Sequence, residues 1–197
     1  MFKHTNRSMD FIVALSACCL FSPLILLVGL ILFVRYGNPV FYREKRSGLH
    51  GKPFTLYKFK TLHREACSVS SSQDMANRIN KTGRPQTCCG RLCGQLRKYS
   101  IDELPQLWNI LIGDMAVVGP RPMPFKELQH RFGPDAAKIV SVRPGLTGLW
   151  QISGRNDLSP EDRRGLELQY VQNQSAAQDI RIILKTVGAV LSGRGAY

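Results

Sequence analysis

A long uncharged apolar segment, residues 11–34, limits what this chain can fold into more than any other feature. It reads FIVALSACCLFSPLILLVGLILFV and contains no charged side chain. As one helix it is roughly 36 Å long at ~1.5 Å per residue, enough for a hydrocarbon core of ~30 Å. A helix that is apolar on every side differs from the half-buried helix of a soluble domain. The segment therefore predicts contact with a membrane.

Two features of this segment bear on how it meets the membrane. Pro23 lies near its centre and removes a backbone donor, which predicts a kink and leaves a carbonyl that the Ser22 hydroxyl can bond. Both flanks are basic, with Lys3 and Arg7 before the segment and Arg35 directly after it. The positive-inside rule places both flanks on the cytoplasmic side, as in a re-entrant helix kinked at Ser22-Pro23. A kinked single-pass helix is the alternative, and these residues leave the two open.

The basic charge is concentrated in one part of the chain. The formal net charge is +13, from 27 Lys and Arg against 14 Asp and Glu, and most of the excess falls within residues 35–98. Such a block fits an anionic partner: phosphates, acidic lipid headgroups or nucleic acid. A basic face kept only for solubility is the alternative, and the neighbouring membrane segment makes it weaker.

Length and composition indicate a compact domain with an appendage. The chain has 197 residues, 44% of them hydrophobic. We predict a membrane helix in residues 1–36 and a globular cytosolic domain in residues 37–197. The six cysteines do not form a disulfide scaffold, because two lie in the apolar segment. Cys88, Cys89 and Cys93, with Cys67 and His63 upstream, lack the paired spacing of a zinc site, so reduced thiols are expected.

The pattern of residues 37–197 predicts an α+β fold that is mainly α. We expect a β-hairpin in 40–60, a polar loop in 62–84, and a rigid extended turn at Gly119–Pro122. Helices are predicted at 92–98, from near Ser100, at 124–132, and at 160–173 with Ser159 as its N-cap. The last predicted helix, around 180–191, is amphipathic. It could lie on the membrane or pack on the core, and periodicity does not separate these.

Asp102 and Glu103 form an adjacent acidic pair just after the basic block. Ser100 and Glu103 have the spacing of a capping box, with Ser100 as the N-cap. The pair also suits a nucleophile or Mg²⁺ ligands, because a carboxylate can attack a phosphoryl group and Mg²⁺ prefers carboxylate and phosphate oxygens. The two interpretations do not exclude each other. Arg121, between two prolines, is a rigid fork suited to phosphate.

Several motifs together resemble those of the bacterial sugar transferases, the monotopic polyprenyl-phosphate hexose-1-phosphate transferases. The resemblance covers nearly the whole chain. In order, the motifs are the Ser22-Pro23 segment, GKPFTLYKFKT (51–61), SIDELPQLWN (100–109), GDM (113–115), GPRP (119–122), RPGLTGLWQISGRN (143–156) and the terminal GAY. One such motif alone would be weak, but this order is specific. The length resembles that of the small single-domain members.

The resemblance implies a reaction and a location. Such enzymes transfer a sugar 1-phosphate from a UDP-sugar to a polyprenyl phosphate, usually undecaprenyl phosphate. They release UMP and start a surface glycan. The resemblance also implies a re-entrant helix, interfacial amphipathic helices, and a catalytic domain on the cytoplasmic face of the bacterial inner membrane. It implies Mg²⁺ as cofactor and suggests a homodimer. The sugar is not specified by any residue that we can identify.

The resemblance also implies roles for individual residues. Asp102 would be the nucleophile, giving a phosphosugar-aspartate that the lipid phosphate then attacks. Glu103 would assist with Mg²⁺ or with proton handling. Lys58, Arg97 and Arg121 match basic positions that would hold phosphate oxygens. The segment before Arg97 is longer than is usual in the family, which affects the placement of this residue.

Two other functions compete with the transferase. A non-catalytic membrane-surface adaptor could use the basic block to bind acidic lipid, although lipid attraction requires charge and no particular order of motifs. Nucleic-acid binding has little support, because aromatic residues interleave only weakly with the basic ones and a membrane segment precedes them. We therefore expect an active transferase.

Overall fold

The structure, a computed structural model, describes residues 7–62 and 90–193. Several residues and segments of the sequence analysis lie outside the described residues: Lys3, most of the predicted loop 62–84, His63, Cys67, Cys88, Cys89 and the terminal GAY. The helices are α1 (Arg7–Tyr36), α2 (Arg91–Lys98), α3 (Gln106–Ile112), α4 (Phe125–Phe132), α5 (Ala136–Ile139), α6 (Leu149–Ile152), α7 (Pro160–Gln172) and α8 (Ala176–Ser192). The strands are β1 (Phe41–Ser47), β2 (Pro53–Phe59), β3 (Ala116–Val118) and β4 (Gly145–Thr147). The predicted fold class, mainly α with a small β part, is confirmed.

Helix α1 carries the apolar segment and continues through Pro23. Ser22 Oγ donates to the carbonyl of Cys19 at 3.0 Å, which is the carbonyl that a residue at position 23 would bond if it had an N–H. The predicted role of Ser22 is therefore confirmed. Within residues 7–62 and 90–193, α1 is the one helix that is long and apolar enough to cross a membrane. Its re-entrant course stays a prediction.

Both ends of α1 contact the globular domain. Near its N-terminus, Arg7 Nη2 donates to the carbonyl of Leu111 in α3 at 2.7 Å, and Asp10 Oδ1 accepts from the Val117 amide at 3.0 Å. Toward its C-terminus, buried Leu32 packs with Phe59 of β2 in a second apolar cluster. Residues 19–23, between the two ends, are all exposed. The helix is therefore attached at its ends and uncovered at its middle.

The predicted hairpin is confirmed. Strands β1 and β2 pair antiparallel, from Phe41 opposite Phe59 to Ser47 opposite Pro53. The outer edge of β2 is held by Asn109 of α3, whose side chain is fully buried. Asn109 Nδ2 donates to the Thr55 carbonyl at 2.7 Å, and its Oδ1 accepts from the Tyr57 amide at 3.2 Å. One amide side chain thus replaces a neighbouring strand and fixes β2 against α3.

A second sheet brings two distant motifs together. Strands β3 and β4 pair in parallel, and beyond them the Gly119 amide donates to Thr147 while the Gly145 amide donates to Pro120, at 2.9 and 2.8 Å. The backbones approach so closely that a Cβ on Gly145 would lie 2.0 Å from the Gly119 nitrogen. Glycine is therefore required there, and the contact places the Pro-Arg-Pro turn beside the 143–156 motif.

The two C-terminal helices begin at serine caps. Ser159 Oγ accepts from the Asp162 amide at 3.0 Å, which confirms the predicted cap of α7. Helix α8 packs on the core through buried Ile182. Its opposite face exposes an apolar stripe of Ile180, Leu184, Val187 and Leu191. The helix thus packs on the core with one face, and the other face is left exposed.

Candidate active site

An open cleft of about 270 Å³ lies between the hairpin, the turn after α2 and helix α7. It is rich in cations and poor in apolar surface. All five predicted site residues line it: Lys58, Arg97, Asp102, Glu103 and Arg121. The cleft therefore brings together residues that are far apart in sequence, from the hairpin, α2, the acidic turn and the Pro-Arg-Pro turn. The longer segment before Arg97 does not remove this residue from the cleft.

The acidic pair lies on a short 3-10 turn, Ile101–Glu103, which directly follows α2. The predicted capping box is wrong. Ser100 has left-handed backbone angles (φ 54°), its side chain makes no cap bond, and the Glu103 amide donates to the Ser100 carbonyl instead. The reason is electrostatic: the Glu103 carboxylate is drawn to cations across the cleft, so it does not turn back toward its own turn.

Glu103 is held in its charged form by two cations. Lys58 Nζ donates to Glu103 Oε1 at 2.6 Å, and Arg121 Nη2 donates to the same oxygen at 3.4 Å. Burial opposes the charge of Glu103, but Lys58 and Arg121 outweigh burial and lower the pKa of this carboxyl to about 2. Glu103 is therefore an anion throughout the physiological range, and it fixes both cations in the cleft.

Asp102 is in a different environment. Its side chain is buried, and burial together with the neighbouring Glu103 charge raises its pKa to about 6, against the opposing effect of Lys58, Arg97 and Arg121. At neutral pH this carboxylate is mostly charged, more basic than usual, and shielded from water. Two adjacent carboxyl groups whose pKa values are pushed in opposite directions suit two different chemical roles. A poorly solvated carboxylate among cations suits attack on a phosphorus atom.

The donor set around the acidic pair can be tested against Mg²⁺. Within the part of the chain that the structure describes, no three His, Cys, Asp or Glu side chains converge on one point. Asp102 and Glu103 offer two adjacent carboxylates, and Glu103 Oε1 is already bonded to Lys58. Mg²⁺ commonly uses one or two carboxylates together with waters and substrate phosphates. The residues fit a Mg²⁺ ion that shares its coordination with a phosphate, not one enclosed by protein ligands.

Sequence reasoning missed much of the far wall. The cleft is also lined by Arg46, Arg131, Trp150, Arg155, Asn156 and Arg163, among others. Arg155 and Asn156 belong to the 143–156 motif, so membership of that motif was the signal available in the sequence. In the structure, Arg155 adopts φ 54° after a glycine at φ 138°. Nothing in the sequence distinguishes Arg163 as a site residue, because it lies among the charged residues of a helix whose composition is typical of a solvent-exposed one.

A buried carboxylate lies behind this wall. Glu167 of α7 is 1% exposed, and burial raises its pKa to about 7 although Arg163, Arg131 and Arg121 oppose this. Arg163 Nε lies 3.5 Å from Glu167 Oε1, and the Arg121 amide points toward the same carboxylate. Both contacts are loose, since neither carboxylate oxygen has a partner at ordinary hydrogen-bond geometry among the described residues. Burial lowers the pKa of Arg163 to about 10, so it remains a cation at neutral pH.

Comparison with known proteins gives a consistent result. The sequence model of the family described as bacterial sugar transferase matches residues 1–193. The chain is 42% identical over 202 residues to the exopolysaccharide production protein ExoY of Rhizobium meliloti, covering 98% of this chain and 88% of that protein. It is 34% identical over 201 residues to UDP-glucose:undecaprenyl-phosphate glucose-1-phosphate transferase of Caulobacter vibrioides, covering 98% of this chain and 72% of that protein.

A longer relative matches over the same region. The chain is 37% identical over 205 residues to undecaprenyl-phosphate galactose phosphotransferase of Salmonella typhimurium, covering 99% of this chain and 42% of that protein. The Caulobacter and Salmonella relatives thus differ in the sugar they are named for. Because the family match extends over almost the entire sequence, the chain belongs to the bacterial sugar transferase family and is a transferase of phosphosugar groups.

Proposed function

We propose that the chain transfers a sugar 1-phosphate from a UDP-sugar to a polyprenyl phosphate, with release of UMP. The observation that carries the proposal is the buried Asp102 carboxylate, next to a Glu103 neutralised by Lys58 and Arg121, in a cleft lined by further arginines. Both substrates are anions and so is the nucleophile. Bringing them together requires preorganised cations in a site partly closed to water.

The reaction proceeds in two displacements at one phosphorus atom. An Asp102 oxygen attacks the phosphorus that bears the sugar, an O–P bond forms, and the bond to UMP breaks with its electrons leaving on UMP. The polyprenyl phosphate oxygen then attacks the same phosphorus, and the Asp102 carboxylate leaves unchanged. Lys58 and Arg121 are fixed by Glu103 where charge develops on the phosphoryl oxygens, and Arg97 lines the same cleft.

Mg²⁺ is the proposed cofactor, held by Asp102, Glu103 and a substrate phosphate. When bound, it supplies charge neutralisation at the diphosphate. Lys58 and Arg121 are two cations in the same cleft that can share this work, and Glu103 holds both in place. Removal of the ion by EDTA is expected to abolish turnover and to leave the fold intact, since Glu103 keeps its partners Lys58 and Arg121.

The proposed location is the cytoplasmic face of the bacterial inner membrane, with α1 re-entrant. Attachment of both ends of α1 to one domain supports this, because Arg7 bonds α3 at one end and Leu32 packs on β2 at the other. The uncovered residues 19–23 would be the deepest part of the helix. The exposed stripe on α8, flanked by Arg181 and Lys185, suits a helix lying at the membrane surface. The division into a membrane helix in residues 1–36 and a catalytic domain in residues 37–197 stays a prediction. The homodimer also stays a prediction.

Two measurements test this location. A membrane-impermeant amine reagent should label Lys3 and Lys45 from the same side of sealed vesicles if α1 is re-entrant, and from opposite sides if it spans. Leu184→Glu on the exposed stripe should weaken liposome binding, whereas Glu161→Gln on the exposed part of α7 should not. Equal binding by both variants would remove the interfacial role of α8.

UMP release tests the reaction itself. Protein in lipid particles is incubated with undecaprenyl phosphate, Mg²⁺ and each member of a panel of UDP-sugars. The expected result is UMP release with one sugar, lost with EDTA and in Asp102→Asn, and retained in the matched surface variant Asp157→Asn. Near-normal turnover by Asp102→Asn contradicts the mechanism. No release across the panel, together with salt-sensitive liposome binding by folded protein, favours the adaptor.

A further inference from the structure

Arg163 is held in an unusual way for a residue in an open cleft. Its guanidinium carbon lies 3.7 Å from the centroid of the Trp150 ring, and its Nε lies 3.5 Å from Glu167 Oε1. The ring is 4% exposed and the carboxylate 1% exposed, so both supports are themselves fixed by burial. Stacking and charge therefore restrict the guanidinium plane before any ligand arrives.

Four other cations of the cleft already have acidic partners. Glu103 engages Lys58 and Arg121, and Glu127 pairs with Arg131 at 3.0 Å. Arg46 pairs with Glu44 and also donates to the Pro122 carbonyl. Among the described residues, by contrast, the two terminal nitrogens of Arg163 form no hydrogen bond, and its acidic neighbour Glu167 is approached through Nε.

A planar fork fixed at its base with open terminal nitrogens is a receptor for a planar pair of acceptor oxygens. The acid that pairs with Arg163, Glu167, lies at Nε, away from the terminal nitrogens. In the proposed reaction, the charged groups that every UDP-sugar donor and the polyprenyl acceptor have in common are phosphates, so a phosphate is the expected occupant. Binding an anion here would cost little side-chain entropy of Arg163, because Trp150 and Glu167 have already ordered this side chain.

We propose that Arg163 is a phosphate-binding residue of the cleft and that Trp150 and Glu167 are its positioning residues. The inference rests on the proposed function, since it assigns the ligand of the same cleft. The ligand chemistry is a phosphate ester, either the nucleotide phosphate that leaves as UMP or the phosphate of the polyprenyl acceptor. Arg121, whose guanidinium carbon lies 5.6 Å from the same Trp150 ring, is its neighbour and completes an arginine pair.

Direct binding is the first part of the test. UMP and a short-chain polyprenyl phosphate are titrated by calorimetry into wild-type protein, Arg163→Met, Arg163→Lys and Arg164→Met. Arg164 is the matched control, because it is on the same helix but bonds Asp135 at 2.9 Å outside the cleft. We expect Arg163→Met to weaken one ligand roughly 10- to 100-fold, Arg163→Lys to recover little of this, and Arg164→Met to change neither.

The positioning role requires a separate readout. The chain has two tryptophans, so in a Trp108→Phe background the emission comes from Trp150 alone. Glu167→Gln keeps the size of the side chain and removes its charge. We expect it to shift Trp150 emission and raise the KM of the same substrate whose binding Arg163→Met weakens, with little change in kcat. Glu161→Gln, on the exposed part of the same helix, should leave both unchanged.

The outcomes separate the two proposals. Weaker UMP binding with an unchanged acceptor assigns the nucleotide phosphate, and the reverse assigns the acceptor phosphate. If Arg163→Met binds both ligands within twofold of wild type, or if Arg164→Met loses as much, the inference is overturned. If UMP binding depends on Arg163 but no UDP-sugar is turned over by wild type, the anion site stands and the proposed reaction fails. Circular dichroism of each variant checks that it is folded.

Discussion

Asp102 should make the fold less stable at neutral pH, so replacing it should stabilise the protein while removing its activity. Burial and the Glu103 charge raise the pKa of Asp102 from 3.8 to about 6. Between these two values the folded state binds a proton that the unfolded state releases, so stability falls as pH rises through this window. At pH 8 the charged Asp102 lowers the free energy of unfolding by up to about 3 kcal/mol, since a pKa shift of one unit corresponds to about 1.36 kcal/mol.

Asp102→Asn removes this cost without changing the size of the side chain. At pH 8 we expect the variant to be up to about 3 kcal/mol more stable than wild type, which for a chain of this length is a rise in Tm of roughly 6–12 °C. At pH 4, Asp102 is neutral in the folded state and about half ionised in the unfolded state, so most of the difference should disappear. The measurement is thermal unfolding of both proteins in the same detergent at pH 4, 6 and 8.

Asp157→Asn is the control, because it makes the same chemical change at an exposed position. It should show no pH-dependent gain. A loss of stability in Asp102→Asn at pH 8, or a gain of equal size at pH 4 and pH 8, would refute the reasoning. The first result would mean that the cations around Asp102 stabilise its charge more than burial destabilises it. The second would mean that the gain does not come from the ionisation of Asp102.

Three further predictions follow from the same contacts. Glu103→Gln removes the anion beside Asp102 and should lower the pKa of Asp102. The acid limb of the pH–rate profile, expected near pH 6 in wild type, should then move to lower pH for the residual activity of the variant. A shift of this limb to higher pH would contradict the prediction. Gly145→Ala puts a Cβ 2.0 Å from the Gly119 nitrogen, and it should abolish folded expression or lower Tm sharply, whereas Gly188→Ala, which meets nothing within 4 Å, should not. Asn109→Ala leaves the outer edge of β2 unpaired and should cost about 2–3 kcal/mol in chemical unfolding; a cost below about 0.5 kcal/mol would show that water replaces the amide.

Local features of the fold could be predicted from the sequence. The Ser159 cap, the hairpin and the bond from Ser22 to the carbonyl freed by Pro23 depend on residues close together in the chain. The acidic pair was recognisable from its motif. These features succeed because turn chemistry, capping and proline geometry act over a few residues.

Other features depend on contacts between distant segments. The capping box at Ser100 failed because Lys58, more than forty residues earlier, competes for Glu103. The approach of Gly119 to Gly145 sets the parallel pairing of β3 and β4, and no periodic pattern indicates it. Arg163 resembles any other charged helical residue until Trp150 and Glu167 are placed beside it. Convergence on one cleft is a tertiary property, so spacing alone could not predict it.

Mass spectrometry of the protein incubated with its UDP-sugar and Mg²⁺, without any polyprenyl phosphate, tests the central claim most directly. Two-step transfer through Asp102 predicts about one UMP released per protein molecule. It also predicts a phosphosugar adduct on the peptide that contains Asp102, which disappears when the lipid acceptor is added and never forms in Asp102→Asn. UMP release that occurs only with the acceptor present, with no adduct at any time, would contradict the account and indicate direct transfer between the two substrates.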